Sequence, residues 1–477
     1  MDVDLIDETE GHAFVIQKSA GKRPQVLPID DAHPFDLEAY ISGYSGRAAV
    51  DRLTFIIAVC PSLAPQAFQL AITQMQSLRD TFLYNKTVEA YNNAQKQNEE
   101  LPPHTDVAII EQGWSENITA KNNAERTKLE VELKTYSSNM IKESIRMGHR
   151  DLGLFYRSIG EYSTSLKHYT KSREFCTTSQ HILDMTLSIL DLLMEQRNFA
   201  HIPTYVYKGE AALEAITGSR VAAANSGNLA SKPAAKEKAV AERDRIQAKL
   251  DLALAMSYLG QGQYEKAAQA FLKVGPLSGL DGWAGVLIAP GDIAIYGTLC
   301  ALATYSRAQI QAQLLENDNF GVYIEQEPYV RELIDAYMSS RFKTVLEILE
   351  RYSTRHFIDI VLSQHVPFLM NSIREHALVL YFQPFASINL ERMAAAFGWT
   401  SEYLEEQVVA LIKKGSIEAR VDRQNKVLKA RTTDQRAALF QRALKSGSDM
   451  QSTNRKLLLR MRLQQADLVV KAPRNAG

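Results

Sequence analysis

Cysteine is scarce in this sequence. The 477 residues include only three, Cys60, Cys176 and Cys300, which lie far apart and form no CxxC pair. This scarcity excludes a disulfide framework and a thiolate zinc site, and it suits a reducing compartment. We therefore expect all three to be small buried hydrophobic residues.

Long apolar runs are missing as well. No stretch approaches the roughly 18 uninterrupted apolar residues that a membrane-spanning helix needs. The opening MDVDLIDETEGH also lacks the basic and apolar regions of a signal peptide. We expect no membrane association and a location in the cytoplasm and nucleus.

The chain has no excess of either charge. Lysine and arginine number 54 against 55 aspartates and glutamates, so the net charge is −1. This balance excludes a chain-wide attraction to nucleic acid or to anionic membranes, and any such binding has to be local.

The sequence carries no local catalytic signature. None of the ten histidines has another histidine two residues away, as a zinc isopeptidase of the His-x-His type requires, and neither GxxxxGK[ST] nor GxSxG occurs. The GQG at 260–262 lacks the third glycine of a dinucleotide-binding loop. His356, His365 and His376 spread over at least two predicted helices and are interpreted as ordinary polar or packing residues. We predict a protein with no enzyme activity, no cofactor and no metal site.

Proline is absent between Pro103 and Pro203, which permits long helices there. The same region begins a tetratricopeptide-like pattern, in which apolar and aromatic residues flank a glycine turn with a period of 34 residues. One copy consists of Leu152, Tyr156, Gly160-Glu161-Tyr162 and Tyr169, and the other of Leu254, Tyr258, Gly262, Tyr264, Ala267 and Phe271. Tyr156 and Tyr258 are 102 residues apart, which is three periods. The pattern predicts a helical-repeat solenoid over residues 35–371, although two unrelated helical hairpins with the same turn chemistry remain an alternative.

Two segments around this solenoid differ in composition. Residues 1–34 hold three prolines with little periodicity and predict a flexible leader. The small and polar run VAAANSGNLASKPAAKEKA predicts a mobile insertion at about residues 216–240.

The pattern changes after residue 371. Ser372 can cap a helix that ends before Pro384. Two further helices are predicted at Asn389–Phe397 and Ser401–Lys413, followed by a strand after Gly415 and a return strand at Val427–Arg431. Helix, turn, helix and a two-stranded wing predict a winged-helix domain over residues 372–433, so the fold class is all-α with a small β wing.

A winged helix raises the alternative of nucleic-acid binding. The predicted recognition helix carries three glutamates against two lysines, which is a poor surface for phosphates. The wing is more basic, because Arg420, Arg423, Lys426, Lys429 and Arg431 exceed its acidic residues by three. A solvated or protein-facing wing is the preferred interpretation, with a winged-helix nucleic-acid-binding protein as the alternative.

The last part of the chain predicts one long helix over residues 434–470, with a short tail at 471–477. Met450, Leu457, Met461 and Leu468 fall on one helical stripe, at spacings of seven, four and seven residues. A helix of this length extends well beyond a winged helix, so its apolar stripe needs another surface to cover it. We expect that surface on another subunit, while burial against the chain's own solenoid remains open.

Four segments resemble a known family. They are FDLEAYISGYSGRAAVDRLTFIIAVCP, GHRDLGLFYRSIGEYSTSLKHYTKSREFCTT, SIREHALVLYFQPFASINLERMAAAF and IEARVDRQNKVLKARTTDQR. Their order is that of the PCI-domain proteins, and their residues resemble the family of COP9 signalosome subunit 1. The resemblance covers roughly residues 35–470. The paralogous proteasome lid subunit is the nearest competitor, from which Tyr44-Ser45-Gly46 and the VDRQNKVLKAR wing separate this chain.

The resemblance implies a non-catalytic scaffold. Its assembly removes the ubiquitin-like modifier Nedd8 from cullins and so regulates cullin-RING ubiquitin ligases, with the chemistry in another subunit. In such assemblies winged helices pack edge to edge and terminal helices form a bundle, so the partners expected are other signalosome subunits and, for the amino-terminal solenoid, ligase components. The contact residues predicted on this basis are Val427, Leu428, Lys429, Ala430 and Arg431 at the sheet edge, and Met450, Leu457, Met461 and Leu468 on the terminal helix.

Overall fold

The computed structural model describes residue 30 and residues 33–98, 101–108, 113–225, 233–431 and 435–468. These residues form two compact units, divided between Ala377 and Leu378. Helices dominate both units, and the only sheet among the described residues lies in the second, so the predicted fold class is confirmed. The predicted flexible leader lies almost entirely outside the described residues, as does the tail at 471–477.

The first unit is built from helices α1 to α18 and most of α19. Their bounds are α1 Leu37–Ser42, α2 Gly46–Val59, α3 Ala64–Met75, α4 Thr81–Gln97, α5 His104–Val107, α6 Trp114–Ser138, α7 Lys142–Ser158, α8 Tyr162–Ser172, α9 Ser179–Gln196, α10 Ile202–Asn225, α11 Pro233–Gly260, α12 Tyr264–Lys273, α13 Pro290–Thr304, α14 Arg307–Ile310, α15 Asp318–Ile324, α16 Pro328–Met338, α17 Phe342–Arg351, α18 Ser353–Ile358 and α19 Val366–Phe382. Short 3₁₀ turns occur at Pro61–Leu63, Arg173–Phe175 and Leu277–Leu280, and a π-helical turn at Gln311–Leu315.

Successive helices pair as antiparallel hairpins, and four of the turns share one geometry. Gly160, Arg197, Gly262 and Ser340 have φ of 85°, 57°, 73° and 58°. At each of them the backbone N–H donates to the carbonyl three residues back, and the next N–H donates to a carbonyl five residues before it. This is the Schellman pattern, which satisfies the last carbonyls of the first helix and reverses the chain.

Close packing within a hairpin depends on a small residue. In the α7–α8 hairpin, a Cβ at Gly153 would lie 2.5 Å from Cε1 of Tyr169, so only glycine lets that ring approach the backbone. The Oγ of the buried Ser165 donates to the Gly153 carbonyl at 2.7 Å. Gly153 and Ser165 therefore interlock the two helices on either side of the predicted turn at Gly160, together with the predicted Tyr169.

Two of the predicted boundaries in this unit are wrong. The expected mobile insertion at about 216–240 is helical up to Asn225 and again from Pro233, which leaves only residues 226–232, outside the described residues. The helix expected to begin at Ser372 begins at Val366 instead. Pro367 falls in its first turn, where a missing N–H costs nothing, so the helix starts six residues earlier than the polar cap suggested.

The amino-terminal helices pack against residues far away in sequence. Leu37, Ile41 and Leu53 share a core with Ala289 and Ile358. The backbone N–H of Ser45 donates to the Gly285 carbonyl at 2.8 Å. This packing holds α1 and α2 against the loop before α13 and against the end of α18.

The second unit contains the end of α19 and a three-stranded antiparallel sheet. Its elements are β1 Ser387–Asn389, α20 Leu390–Phe397, α21 Ser401–Lys414, β2 Ala419–Asp422, β3 Val427–Ala430 and α22 Gln435–Gln465. Asn389 and Thr400 cap the helices that follow them, because Asn389 accepts from the N–H of Glu391 and Thr400 from that of Tyr403. The winged-helix arrangement predicted from the sequence is present.

The sheet differs from the predicted two-stranded wing. Its strand order is β1-β3-β2, with Ser387 opposite Lys429 and Ala419 opposite Ala430. The strand predicted to lie at the sheet edge, Val427–Arg431, is therefore central. The prediction failed because β1 has only three residues and carries no apolar alternation that would mark it as a strand.

Candidate interaction surfaces

A cluster of polar side chains is buried in the first unit, and sequence reasoning missed it. Asp292, at the start of α13, is fully buried and lies between two arginines. Nη2 of Arg355 is 2.8 Å from Asp292 Oδ1, and Nη2 of Arg52 is 3.6 Å from Oδ2. The Tyr44 hydroxyl also donates to Asp292. We call these residues, together with Tyr40, Tyr296 and Asp359, the buried polar cluster.

The outer members of the cluster add further contacts. Tyr296 donates from its hydroxyl to Asp359 at 2.7 Å, and the same carboxylate oxygen accepts from the N–H groups of Val361 and Leu362. The guanidinium of Arg52 lies 3.9 Å above the Tyr44 ring, and that of Arg355 lies 4.3 Å above the Tyr40 ring. These contacts join α2, α13 and α18 through charged groups that are largely buried.

The electrostatics of the cluster keep both arginines charged. Burial alone would lower the pKa of Arg52, but Tyr44, Tyr40 and Asp292 together raise it well above its ordinary value. Burial likewise acts against the charge of Arg355, but Asp292 together with Tyr40, Tyr44 and Tyr329 outweighs it, so the pKa of Arg355 is also raised. Burial raises the pKa of Tyr44 well above its usual value, which keeps its hydroxyl a donor. The arrangement positions helices, and its side chains are enclosed by the fold.

A second polar region lines an open cleft of about 400 Å³ beside α2, α7 and α9. The charged side chains around it are already paired. Arg47 contacts Asp80. Arg157 donates from Nη1 to Asp191 and from Nε to Glu195, both at 3.0 Å. Because the arginines already hold carboxylates, the cleft offers no ready anion site.

The histidines singled out in the sequence take ordinary roles. Nε2 of His356 lies 3.1 Å from the Tyr329 hydroxyl, and burial, aided by the nearby Arg355, lowers the pKa of His356 to about 3. Nδ1 of His365 lies 3.1 Å from the Tyr264 hydroxyl. In the part of the chain that the structure describes, no three histidine, cysteine, aspartate or glutamate side chains are grouped closely enough to hold a metal ion.

The cysteines are placed largely as predicted. Cys60 and Cys300 are buried, which confirms the prediction for these two, and burial raises the pKa of the Cys300 thiol. Cys176 is only half-buried, and its Sγ contacts the Ser172 carbonyl.

The surplus of positive charge predicted for the wing is largely paired. Arg423 contacts Glu405 of α21, Lys426 Nζ lies 2.8 Å from Glu391, and Lys429 Nζ lies 3.8 Å from Asp422. These exposed pairs contribute little to stability, but they take up the cations that a nucleic acid would need. The geometry therefore does not favour the nucleic-acid alternative.

The predicted contact residues on β3 are unevenly accessible. Leu428 is fully buried, and the side chain of Lys429 is 61% exposed. Because Arg431 donates to Glu418 and Ala430 donates to Ala386, both edges of β3 are already paired within this chain. Edge pairing with another chain has to use β1 or β2.

The terminal helix exposes its apolar residues. Met450, Leu457 and Met461 are 67%, 52% and 62% exposed, so the chain alone does not bury this part of the predicted stripe. The helix ends at Gln465 and not at residue 470 as predicted, because the chain turns at Asp467, which has φ of 57°, and Leu468, 69% exposed, lies beyond it. Further apolar side chains that the sequence reasoning left out are also exposed, namely Leu439, Phe440, Leu444, Leu458, Leu459 and Leu463. The signal for them was available in the sequence, because several of them recur at spacings of four and eighteen residues along the same helix.

Among the helices of the described residues, none combines the length and the apolar character that crossing a membrane takes.

Comparison with known proteins identifies the class. Residues 111–313 match the family described as 26S proteasome subunit RPN7, and residues 349–431 match the PCI domain. The second match spans the winged helix. Helical hairpins followed by this winged helix make the chain a PCI-domain protein.

The relatives narrow the class to a family. The chain is 34% identical to COP9 signalosome complex subunit 1 of Arabidopsis thaliana over 441 residues, 91% of each protein. It is 32% identical to the protein of the same name from Emericella nidulans, over 94% of this chain and 85% of that protein. A 26S proteasome non-ATPase regulatory subunit 6 from Oryza sativa is 22% identical over only 41% of this chain. The chain belongs to the COP9 signalosome subunit 1 family, which it matches at higher identity and over more of its length than the proteasome lid subunit of the alternative.

Proposed function

We propose that this chain is a non-catalytic scaffold of the signalosome that supports removal of Nedd8 from cullins and so regulates cullin-RING ubiquitin ligases. The observation that carries the proposal is the membership in the subunit 1 family over nine-tenths of the chain. The polar side chains described above agree with a scaffold, because they join helices or pair with one another. The chemistry would then reside in another subunit.

Two surfaces of the second unit support a role in assembly. The outer edges of β1 and β2 carry backbone groups that the sheet leaves unpaired, and such edges recruit strands from other chains. The exposed apolar residues of α22 need a protein surface to cover them. In this proposal other signalosome subunits occupy both surfaces, while the first unit contacts ligase components in the cytoplasm and nucleus.

The proposal is tested in cells that lack the chain. We expect Nedd8-modified cullin to accumulate in these cells, to return to its normal fraction with the full-length chain, and to stay high with a chain that lacks residues 435–477. Immunoblotting of a cullin resolves the modified and unmodified forms. An unchanged Nedd8-modified fraction in cells without the chain would contradict the proposal.

A further inference from the structure

A row of aromatic side chains crosses the second unit, away from the terminal helix. The rings follow one another with centroids 5.8, 5.5, 5.3 and 5.1 Å apart, in the order Phe385, Tyr381, Phe397, Trp399 and Tyr403. They come from α19 and the segment after it, from the end of α20 and the turn that follows, and from the first turn of α21. We call these five residues the aromatic row.

The two ends of the row are open to solvent. Phe385 is 41% exposed and Tyr403 is 39% exposed, and their neighbours Tyr381 and Trp399 are half-buried. Phe397 in the middle is only 2% exposed. The row therefore offers two accessible aromatic corners, one at each end, that share one buried ring.

Each corner consists of two rings at an angle. The planes of Trp399 and Tyr403 are 85° apart, and those of Tyr381 and Phe385 are 45° apart. Grooves lined by aromatic rings are the sites at which proline-rich segments dock. The two pairs of rings therefore have the chemistry of such a groove.

The spacing of the corners fits this kind of ligand. The Phe397 ring lies 5.5 Å from Tyr381 and 5.3 Å from Trp399, so the inner rings of the two corners are at most two ring spacings apart. A polyproline II helix advances about 9 Å in one turn of three residues, which is within this limit. Prolines three positions apart can therefore reach both corners.

The charge beside the row is negative. Glu402 and Glu406 are exposed and lie one helical turn apart on α21, and Glu402 precedes Tyr403 directly. The third glutamate of this helix, Glu405, is already held by Arg423. The two lysines of α21 lie at its opposite end. This end of the row therefore favours a ligand with a positive charge.

We propose that the aromatic row binds a proline-rich segment of a partner protein that carries an arginine or a lysine beside its prolines. Such a segment adopts the polyproline II conformation before it binds, so it loses little conformational entropy on an open surface. Its prolines occupy the two corners, and its cation pairs with Glu402 or Glu406. The inference goes beyond the proposed function, because neither the sheet edges nor α22 takes part in it.

Other ligands fit this surface less well. Aromatic platforms that stack the bases of single-stranded nucleic acid lie in positively charged grooves, whereas this row lies beside glutamates. The same glutamates repel an anionic membrane surface. A methylated lysine needs a single aromatic cage and would leave the corner of Tyr381 and Phe385 without a role.

The test measures the binding of two fluorescent peptides to the full-length chain by anisotropy. The probe is a run of prolines followed by two arginines, and the control peptide carries the same arginines after a glycine-serine run of equal length. Phe385→Ala and Tyr403→Ala each remove one end of the row. Tyr207→Ala is their matched control, since this tyrosine of the first unit is 56% exposed.

A further pair of variants tests the charge. Glu402→Lys combined with Glu406→Lys reverses the charge beside the row. Glu325→Lys combined with Glu332→Lys changes the net charge by the same amount at two exposed positions of the first unit. All the altered side chains are exposed, so the fold should persist, and circular dichroism of each variant checks this.

We expect the chain to bind the proline probe about tenfold or more tightly than the control peptide, and each end variant to weaken the probe by about tenfold or more, because aromatic anchors dominate such contacts. The charge reversal beside the row should weaken the probe by about fivefold or more, and more so at low salt. The controls Tyr207→Ala and Glu325→Lys with Glu332→Lys should stay within about twofold of the unchanged chain.

Each other outcome has a definite meaning. Failure of the probe to bind at millimolar concentration would overturn the proposal. Equal binding of the two peptides would show that only the arginines are recognised, which would overturn the role of proline. A loss with Tyr403→Ala but not with Phe385→Ala would overturn the use of both corners. None of these results bears on the proposed function, which the Nedd8-modified fraction of a cullin tests separately.

Discussion

At the scale of single residues, Asp292 is the most consequential side chain of the first unit. It is fully buried, and both Arg52 and Arg355 depend on its charge. No sequence pattern could indicate this, because Tyr44 and Asp292 are 248 positions apart and only the fold brings them together. By contrast, Gly153 and Tyr169 belong to one repeat, so their contact could be predicted from spacing alone.

Replacing this carboxylate tests the buried polar cluster. Asp292→Asn keeps the shape but removes the ion-pair partner of the buried Arg52 and leaves Arg355 with only Glu327, at 3.8 Å, so we expect the free energy of unfolding to fall by about 3–5 kcal/mol. Chemical denaturation of the full chain measures the change. Asp281→Asn is the matched control, because its ion pair with Arg245 is exposed and its loss should cost at most about 0.5 kcal/mol. Equal effects of the two substitutions would contradict the account.

The stability of the first unit should also depend on pH through His356. Its pKa in the folded chain is about 3, below the ordinary value of 6.5, because burial and the neighbouring Arg355 disfavour the charged imidazole. The unfolded chain therefore takes up the proton first as the pH falls. The contribution of His356 is fully present above about pH 6.5 and is lost progressively toward pH 3, by up to about 1.4 kcal/mol per pH unit.

We expect a His356→Asn variant to show a shallower loss of stability between about pH 6.5 and 5.5, by roughly 1 kcal/mol, than the unchanged chain. Denaturation at each pH gives the two slopes. Parallel slopes would show that this imidazole is not the group that titrates.

At the scale of elements, turns and short strands separate what the sequence could predict from what it could not. Gly160 and Gly262 marked their hairpins because glycine is the usual residue at positive φ, whereas Arg197 and Ser340 adopt the same conformation without that signal. Helices α20 and α21 were predicted to within one residue, with a glycine directly after each, whereas α19 begins six residues before the predicted Ser372. Strand β1 was missed because its own sequence carries no strand pattern. It is a strand only because it pairs with β3.

A pair of alanine substitutions tests the turn geometry. Gly262→Ala places a side chain at φ 73° and should cost about 1 kcal/mol of stability. Gly321 lies within α15, and the space around its Cα is open, so Gly321→Ala should stabilise the chain by about 0.5–1 kcal/mol. Thermal unfolding distinguishes the two signs, and destabilisation by both would contradict the assignment of the turn.

The sheet topology predicts how proline is tolerated. The N–H of Lys429 faces β2, because Arg431 on the same side donates to Glu418, so Lys429→Pro should remove a bond of the central strand and cost about 3 kcal/mol or more. On the edge strand β2, the N–H of Val421 faces away from β3, and Val421→Pro should cost clearly less. Amide hydrogen exchange of the second unit reports both. Equal tolerance at the two positions would mean that β3 is an edge strand.

At the scale of the whole molecule, the proposed function depends on the sheet edges and on the exposed apolar residues of α22. The order of helical hairpins, winged helix and terminal helix could be predicted because each part repeats a known local pattern, and the family follows from matches over most of the chain. Val427–Arg431 was wrongly predicted to be a free sheet edge. Which strand lies at the edge depends on the complete sheet, and β1 covers this one. The exposed apolar residues Met450, Leu457 and Met461 of α22 could be predicted from the sequence, because they recur at the seven- and four-residue spacings of one helical face.

The most direct test is affinity purification of the tagged full-length chain from its native cells at moderate salt, beside a version that lacks residues 435–477. Mass spectrometry identifies what each version retains. The account predicts a stoichiometric set of PCI-domain proteins with a zinc isopeptidase for the full chain, and loss of that set without the terminal helix. Elution of the full chain alone, or with nucleic acid, would contradict the scaffold assignment.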